Sequence, residues 1–183
     1  LVKNACLLLV LTLTLVSCMT VPPPPPNLYI EPLPQSLTLD MTLNERIRTK
    51  EAWDYVRQGN TYKAEKALAR LGPSSDIYYV GLAYLYLIQE DLQSAEENFR
   101  LALEEHPNLP LAHLGLGQLY QQSGQPDRAF NEFREVLKND PQNPWAREQY
   151  EALKAEKTKQ ATSEAKAALA GGEIEKAKEA YLK

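Results

Sequence analysis

Side chains able to do chemistry are few in this 183-residue sequence: two histidines, His106 and His113, and two cysteines, Cys6 and Cys18. A zinc or iron–sulfur site needs three or four Cys, His or carboxylate ligands at matched spacing, and none cluster that way here. Two thiols also make no disulfide framework. His106, beside Pro107, is expected in a turn at a helix end, and His113 one turn into the next helix. Helix-end polarity and ordinary packing account for both. Acidic pairs such as Glu96-Glu97 and Glu104-Glu105 read as solvated helix faces, not as an acid/base couple. No Gly-rich phosphate loop or nucleophile elbow occurs. The sequence therefore offers no catalytic residue, and it implies no metal, no cofactor and no enzyme. A formal net charge of −4 argues against nucleic acid, because no basic excess exists to displace counterions from phosphates.

One of the cysteines has a context. Lys3 precedes an apolar run from Ala5 to Val16, which as a helix reaches only about 18 Å, short of the ~30 Å hydrocarbon core. Such a run is the core of a signal peptide rather than a spanning helix. Its end, Leu15-Val16-Ser17-Cys18, resembles the lipobox of bacterial lipoproteins. The resemblance implies cleavage after residue 17, lipid attachment at Cys18 and loss of Cys6 with the signal. An ordinary secretory signal with a coincidental Cys is the plainer alternative. Met19 stands where an Asp would retain such a protein at the inner membrane, so the resemblance implies the outer membrane, facing the periplasm.

Seven of the thirteen prolines lie between 22 and 34, a composition that favours polyproline II. Residues 18–41 are expected to form a linker, with the proline-rich part acting as a stalk.

From Thr42 onward the pattern is helical and repeats. Asp76–Leu109 aligns with Pro110–Asn143 at an offset of 34 residues, placing Leu82 on Leu116, Ala83 on Gly117, Tyr86 on Tyr120, Ala95 on Ala129, Phe99 on Phe133 and Pro107 on Pro141. Small residues let two antiparallel helix backbones approach, and the large ones fill the space beside them. Pro107 and Pro141 stop the second helix of each unit. Gly59 and Gly124 suit left-handed helix ends, Pro110, Pro126 and Pro144 suit first turns, and Thr42-Leu43-Asn44-Glu45 reads as a capping box. A weaker unit over 45–75 is three residues shorter. Another over 144–183 joins a long helix, Pro144–Ala170, to a second helix starting at Glu173.

The period and its order of residues resemble the tetratricopeptide repeat. The resemblance implies an all-α helical solenoid of antiparallel helix pairs, about 3–4 repeats over residues 42–183, following the signal 1–17 and the linker 18–41. It also implies a protein-binding scaffold whose first helices line a concave groove. Thr49, Trp53, Val56, Ile77, Val80, Tyr84, Leu87, Leu111, Leu114, Gln118 and Gln121 would face that groove. Of these, Trp53, Val80, Tyr84, Leu87, Leu114 and Gln118 are the candidate partner-binding residues, with Trp53 and Tyr84 expected to carry most of the affinity. Relatives that grip acidic chain termini do so with Lys, Arg and Asn at places held here by Thr49/Trp53, Val80/Tyr84 and Leu114/Gln118. An apolar peptide or helix is therefore the expected ligand. Alternatively the trough is filled by the chain's own Leu28–Met41. The expected role is an interaction scaffold, membrane-anchored through Cys18, in an envelope assembly: pilus and secretin, outer-membrane assembly or a cell-wall enzyme complex. A regulatory module of a longer envelope enzyme is the other reading.

Overall fold

Punctuation residues decide where each helix begins. The computed structural model describes residues 28–181, which hold a 3-10 turn, Gln35–Thr38, and the helices α1 (Leu43–Arg57), α2 (Thr61–Leu71), α3 (Tyr78–Ile88), α4 (Leu92–Glu105), α5 (Pro110–Gln122), α6 (Pro126–Asn139), α7 (Pro144–Ala170) and α8 (Ile174–Tyr181). Thr42 and Glu45 form the expected capping box, each side chain accepting from the other's backbone N–H. Asn60, Asp91 and Asn143 cap α2, α4 and α7 by accepting from the N–H three residues on. These bonds use donors that the first helical turn leaves without partners. Proline opens α5, α6 and α7, where its missing N–H costs nothing.

The helices pair as hairpins, α1 with α2, α3 with α4 and α5 with α6, and each second helix packs on the next hairpin's first. The first helices α1, α3 and α5 also touch side by side. This is an all-helical solenoid. Its core repeats as the sequence does: Ala64, Ala95 and Ala129 are fully buried, as are Phe99 and Phe133. Burying each Phe stabilises by about 1.5–3 kcal/mol. The small residues are demanded by those rings. A Cβ on Gly117 would stand 2.2 Å from the Phe133 ring, and one on Gly115 would stand 2.1 Å from the Phe99 ring. Gly81 meets Leu68 in the same way, at 2.7 Å.

One acidic residue departs from expectation. Glu96 is not a solvated residue like its neighbour Glu97. Its carboxylate accepts from the Tyr120 hydroxyl at 2.9 Å, from Arg100 at 2.8 Å and from Arg128 at 2.7 Å, tying α4 to α5 and α6. Burial pushes the Glu96 pKa up, but these donors outweigh it and hold the group below its ordinary value. The Arg128 guanidinium lies 3.8 Å from the Tyr120 ring centre and closes over it. Tyr86, the repeat partner of Tyr120, stays half-buried because Ser94 stands where Arg128 would cover it.

Helix α7 has the expected bounds, Pro144–Ala170, and runs 27 residues where α3 runs 11 and α5 runs 13. It packs on α6 and then receives α8, whose Ala177 and Ala180 are buried. Among the described residues no helix is long and apolar enough to cross a membrane. The expected signal segment and Cys18 lie outside the described residues.

Candidate peptide-binding groove

Pro32 and Pro34 keep the chain before the 3-10 turn extended, because a residue preceding proline is pushed out of the helical region. This extended segment lies along the first helices. The Gln118 side chain on α5 holds the Tyr29 backbone at both ends: its Oε1 accepts from the Tyr29 N–H at 2.6 Å, and its Nε2 donates to the Tyr29 carbonyl at 2.7 Å. On α1, Arg57 Nε donates to the Ile30 carbonyl at 3.3 Å, and the Trp53 indole N–H donates to the Glu31 carbonyl at 2.8 Å. Asn143 Nδ2 donates to the Glu31 carboxylate at 2.9 Å while its Oδ1 caps α7. The Tyr29 ring stacks on Trp145 with centroids 5.4 Å apart and planes 10° from parallel.

The linker therefore does not act as a free stalk over residues 28–34. Apolar side chains of Leu28, Tyr29, Ile30 and Leu33 pack against the core, and the main chain finds donors and acceptors among groove side chains. Of the two readings of the trough, the structure shows it occupied by this chain's own residues 28–33. Residues 18–27 lie outside the described residues.

The six candidate partner-binding residues divide by position. Trp53 and Gln118 hold the segment directly. Val80, Tyr84, Leu87 and Leu114 are wholly buried in the hydrophobic core. Trp53 is itself fully buried, its ring meeting Tyr84 edge-on at 5.7 Å, and Tyr84 meets Phe99 edge-on at 5.1 Å. The Tyr84 hydroxyl donates to the Leu111 carbonyl across the α3–α5 contact at 3.2 Å, and burial pushes its pKa far up. Truncating Trp53 or Tyr84 removes core as well as groove.

Asn143, Trp145 and Arg57 were not among the expected groove residues. Trp145 was legible, since it follows Leu111 by one period of 34. Asn143 reads from sequence only as a cap; its second bond needs Glu31, 112 residues away.

Beside Tyr29 the groove continues as an open cleft of about 670 Å3, lined by Gln118, Gln121, Trp145 and Gln149 among others. Gln121 donates to Gln149 at 2.9 Å across α5 and α7. The lining is neutral, amide-rich and aromatic, a surface suited to peptide groups rather than to a formal charge. Burial raises the pKa of Glu31, and the nearby Asp140 carboxylate raises it further, against the opposing bond from Asn143.

The histidines serve the fold. His106 Nε2 lies 3.0 Å from Asp76. His113 Nδ1 lies 2.7 Å from the Glu132 carboxylate and Nε2 lies 3.0 Å from the Pro107 carbonyl. Among the described residues no three His, Cys, Asp or Glu side chains converge as a metal site would require.

A comparison with curated proteins finds no matching relative. Two family models, each described as Tetratricopeptide repeat, match residues 49–110 and 86–157. Together they run from α1 into α7, more than half of the chain, over the hairpins whose packing carries the 34-residue period. The chain belongs to the tetratricopeptide repeat proteins.

Proposed function

We propose that this protein is a non-catalytic adaptor, held to a bacterial membrane by a lipid on Cys18, that binds a partner peptide in the groove of its first helices. Tetratricopeptide repeats make protein-interaction modules, and the observation carrying the reading is that the groove already holds an extended peptide, the chain's own residues 28–33. Side chains from α1 and α5 meet four of that segment's main-chain groups, as a peptide receptor requires. The anchor is supported by the order of apolar run, small residue and Cys at residues 5–18. Met19 favours the outer membrane, facing the periplasm. An envelope assembly (pilus and secretin, outer-membrane assembly or a cell-wall enzyme complex) is the setting that follows.

Two measurements test this. Radiolabelled palmitate is expected in the wild type and not in Cys18→Ala, which should remain uncleaved or leave the membrane fraction; equal labelling of both refutes the anchor. Crosslinking from a photoreactive residue at Gln121, in the open cleft, should capture an envelope protein, whereas the same probe at exposed Glu97 should not. Capture from Glu97 alone overturns the groove.

A further inference from the structure

We infer that Leu28–Leu33 is a built-in stand-in for the partner, and that the partner peptide is extended, carries an aromatic residue at the place of Tyr29 and a side-chain carboxyl or amide oxygen two residues later, and displaces this segment. The inference rests on the groove being the binding surface and does not depend on the lipid anchor.

The contacts divide by what they recognise. Gln118, Arg57 and Trp53 meet only main-chain atoms, so any extended peptide satisfies them. Two contacts depend on the side chain: Trp145 offers its face to an aromatic ring, and Asn143 donates to the side-chain oxygen two residues later. Those two select the motif.

The resident segment is a poor final occupant. None of residues 28–34 is fully buried. Its one charged side chain, Glu31, is half-buried and bonded by a single amide, with Asp140 close enough to repel it. Its upstream end leads to a cleft of about 670 Å3 that the described residues leave open. A longer peptide entering from another molecule can make every resident contact and also meet Gln121 and Gln149. Its obstacle is concentration, because a segment joined by a short tether competes at an effective concentration of about millimolar. Full occupancy from outside thus requires either a better fit in the cleft or a partner held at the same surface.

The test uses the full chain and a fluorescent, acetylated peptide, Leu-Tyr-Ile-Glu-Pro-Leu-Pro. In the double variant Tyr29→Ala, Glu31→Ala the segment loses both side-chain contacts while the helices keep their sequence. This variant should bind the peptide at least tenfold more tightly than the wild type. Adding Gln118→Ala should reverse the gain, and a peptide with Ser at the Tyr place should bind at least tenfold more weakly. Circular dichroism checks that helicity is kept. Equal affinity of the wild type and the double variant, or no binding by a helical double variant, overturns the inference. Amide exchange in the unaltered chain supplies a measurement free of any folding defect. The Tyr29 N–H should exchange at least a hundredfold faster than the amides of α3 and α5. Equal protection would make the segment a permanent part of the core and overturn the inference. Failure of the peptide with continued capture from Gln121 removes only the partner's chemistry, not the groove.

Discussion

Glu90 takes the left-handed backbone conformation in its repeat, φ 63°, that Gly124 takes in the next at φ 69°. Gly59 does the same one repeat earlier, at φ 66°. All three close a first helix and redirect the chain into the second, and each is followed by the residue that precedes or caps the next helix. A side chain at this conformation costs roughly 1–2 kcal/mol, while glycine's extra unfolded freedom returns about 0.5–1. Glu90→Gly should therefore stabilise the protein by up to about 1 kcal/mol. Urea melts check it through a raised midpoint at unchanged slope. A lower midpoint would mean that Glu90 makes a contact worth more than the strain.

The same accounting applied to the hairpin contacts gives a loss. Ala95 and Ala129 are fully buried where α4 and α6 meet their neighbours. Overpacking such a site typically costs about 1–3 kcal/mol, and an indole belongs at the upper end. Ala95→Trp and Ala129→Trp should each lower the melting temperature by several degrees. Melting curves unchanged by either would place these alanines in solvent and overturn the register of the repeat.

His113 makes stability depend on pH. Both its ring nitrogens face acceptors, Glu132 and the Pro107 carbonyl, so satisfying both requires the doubly protonated ring. Burial pulls its pKa down, but the bonds to Glu132 and Pro107 outweigh this and hold it above the ordinary value; Glu132 and Glu135 add attraction. With a folded pKa above the unfolded one of about 6.5, the contribution is complete below that value. It is lost as pH rises through the folded pKa. Each pH unit of separation is worth about 1.4 kcal/mol. Thermal melts from about pH 6 to 9 should fall more steeply for the wild type than for His113→Gln. Parallel curves would show a neutral ring in the folded state.

The hairpins were legible because their cause is local: the capping residues, the prolines at first turns and the large–small order all lie within one repeat of what they contact. The role of Gly81 and Gly115 was not legible although they recur at 34, since their partners, Leu68 and Phe99, belong to the preceding repeat. Glu96 departs from its sequence pattern for a related reason. It stands beside the exposed Glu97, and Arg128, which holds it, lies 32 residues on. The groove was legible as a face, through the spacing that put Trp53 and Gln118 on first helices. Its occupant was legible only as one of two alternatives, because a proline-rich segment carries no periodicity to show what it packs against. Tyr29 and Gln118 stand 89 residues apart, and only their hydrogen bonds decide the matter.

Glu31 gives the docked segment a pH dependence of its own. The folded state raises its pKa, through burial first and the Asp140 carboxylate second, with the Asn143 bond opposing. An acid raised on docking is protonated more readily when docked, so docking is strongest below the ordinary carboxyl value of about 4.3. It weakens as pH rises from there through the docked pKa, and above that the whole penalty is present. Gln at this place keeps a carbonyl oxygen for Asn143 Nδ2 and carries no charge for Asp140 to repel. Glu31→Gln should therefore stabilise the chain near neutral pH by up to about 1 kcal/mol, the worth of one imperfectly compensated polar contact. The melting temperature should rise by about 2–4 °C, as such a change gives in a chain of this size. The gain should shrink as the pH approaches 4, where the wild-type carboxyl is protonated. If the segment is the stand-in inferred above, the same substitution should weaken binding of the external peptide to the otherwise unaltered chain, because it strengthens the competitor and leaves the groove alone. A lower melting temperature for Glu31→Gln at neutral pH would show instead that Asn143 needs the anion, and that the charge holds the segment in place.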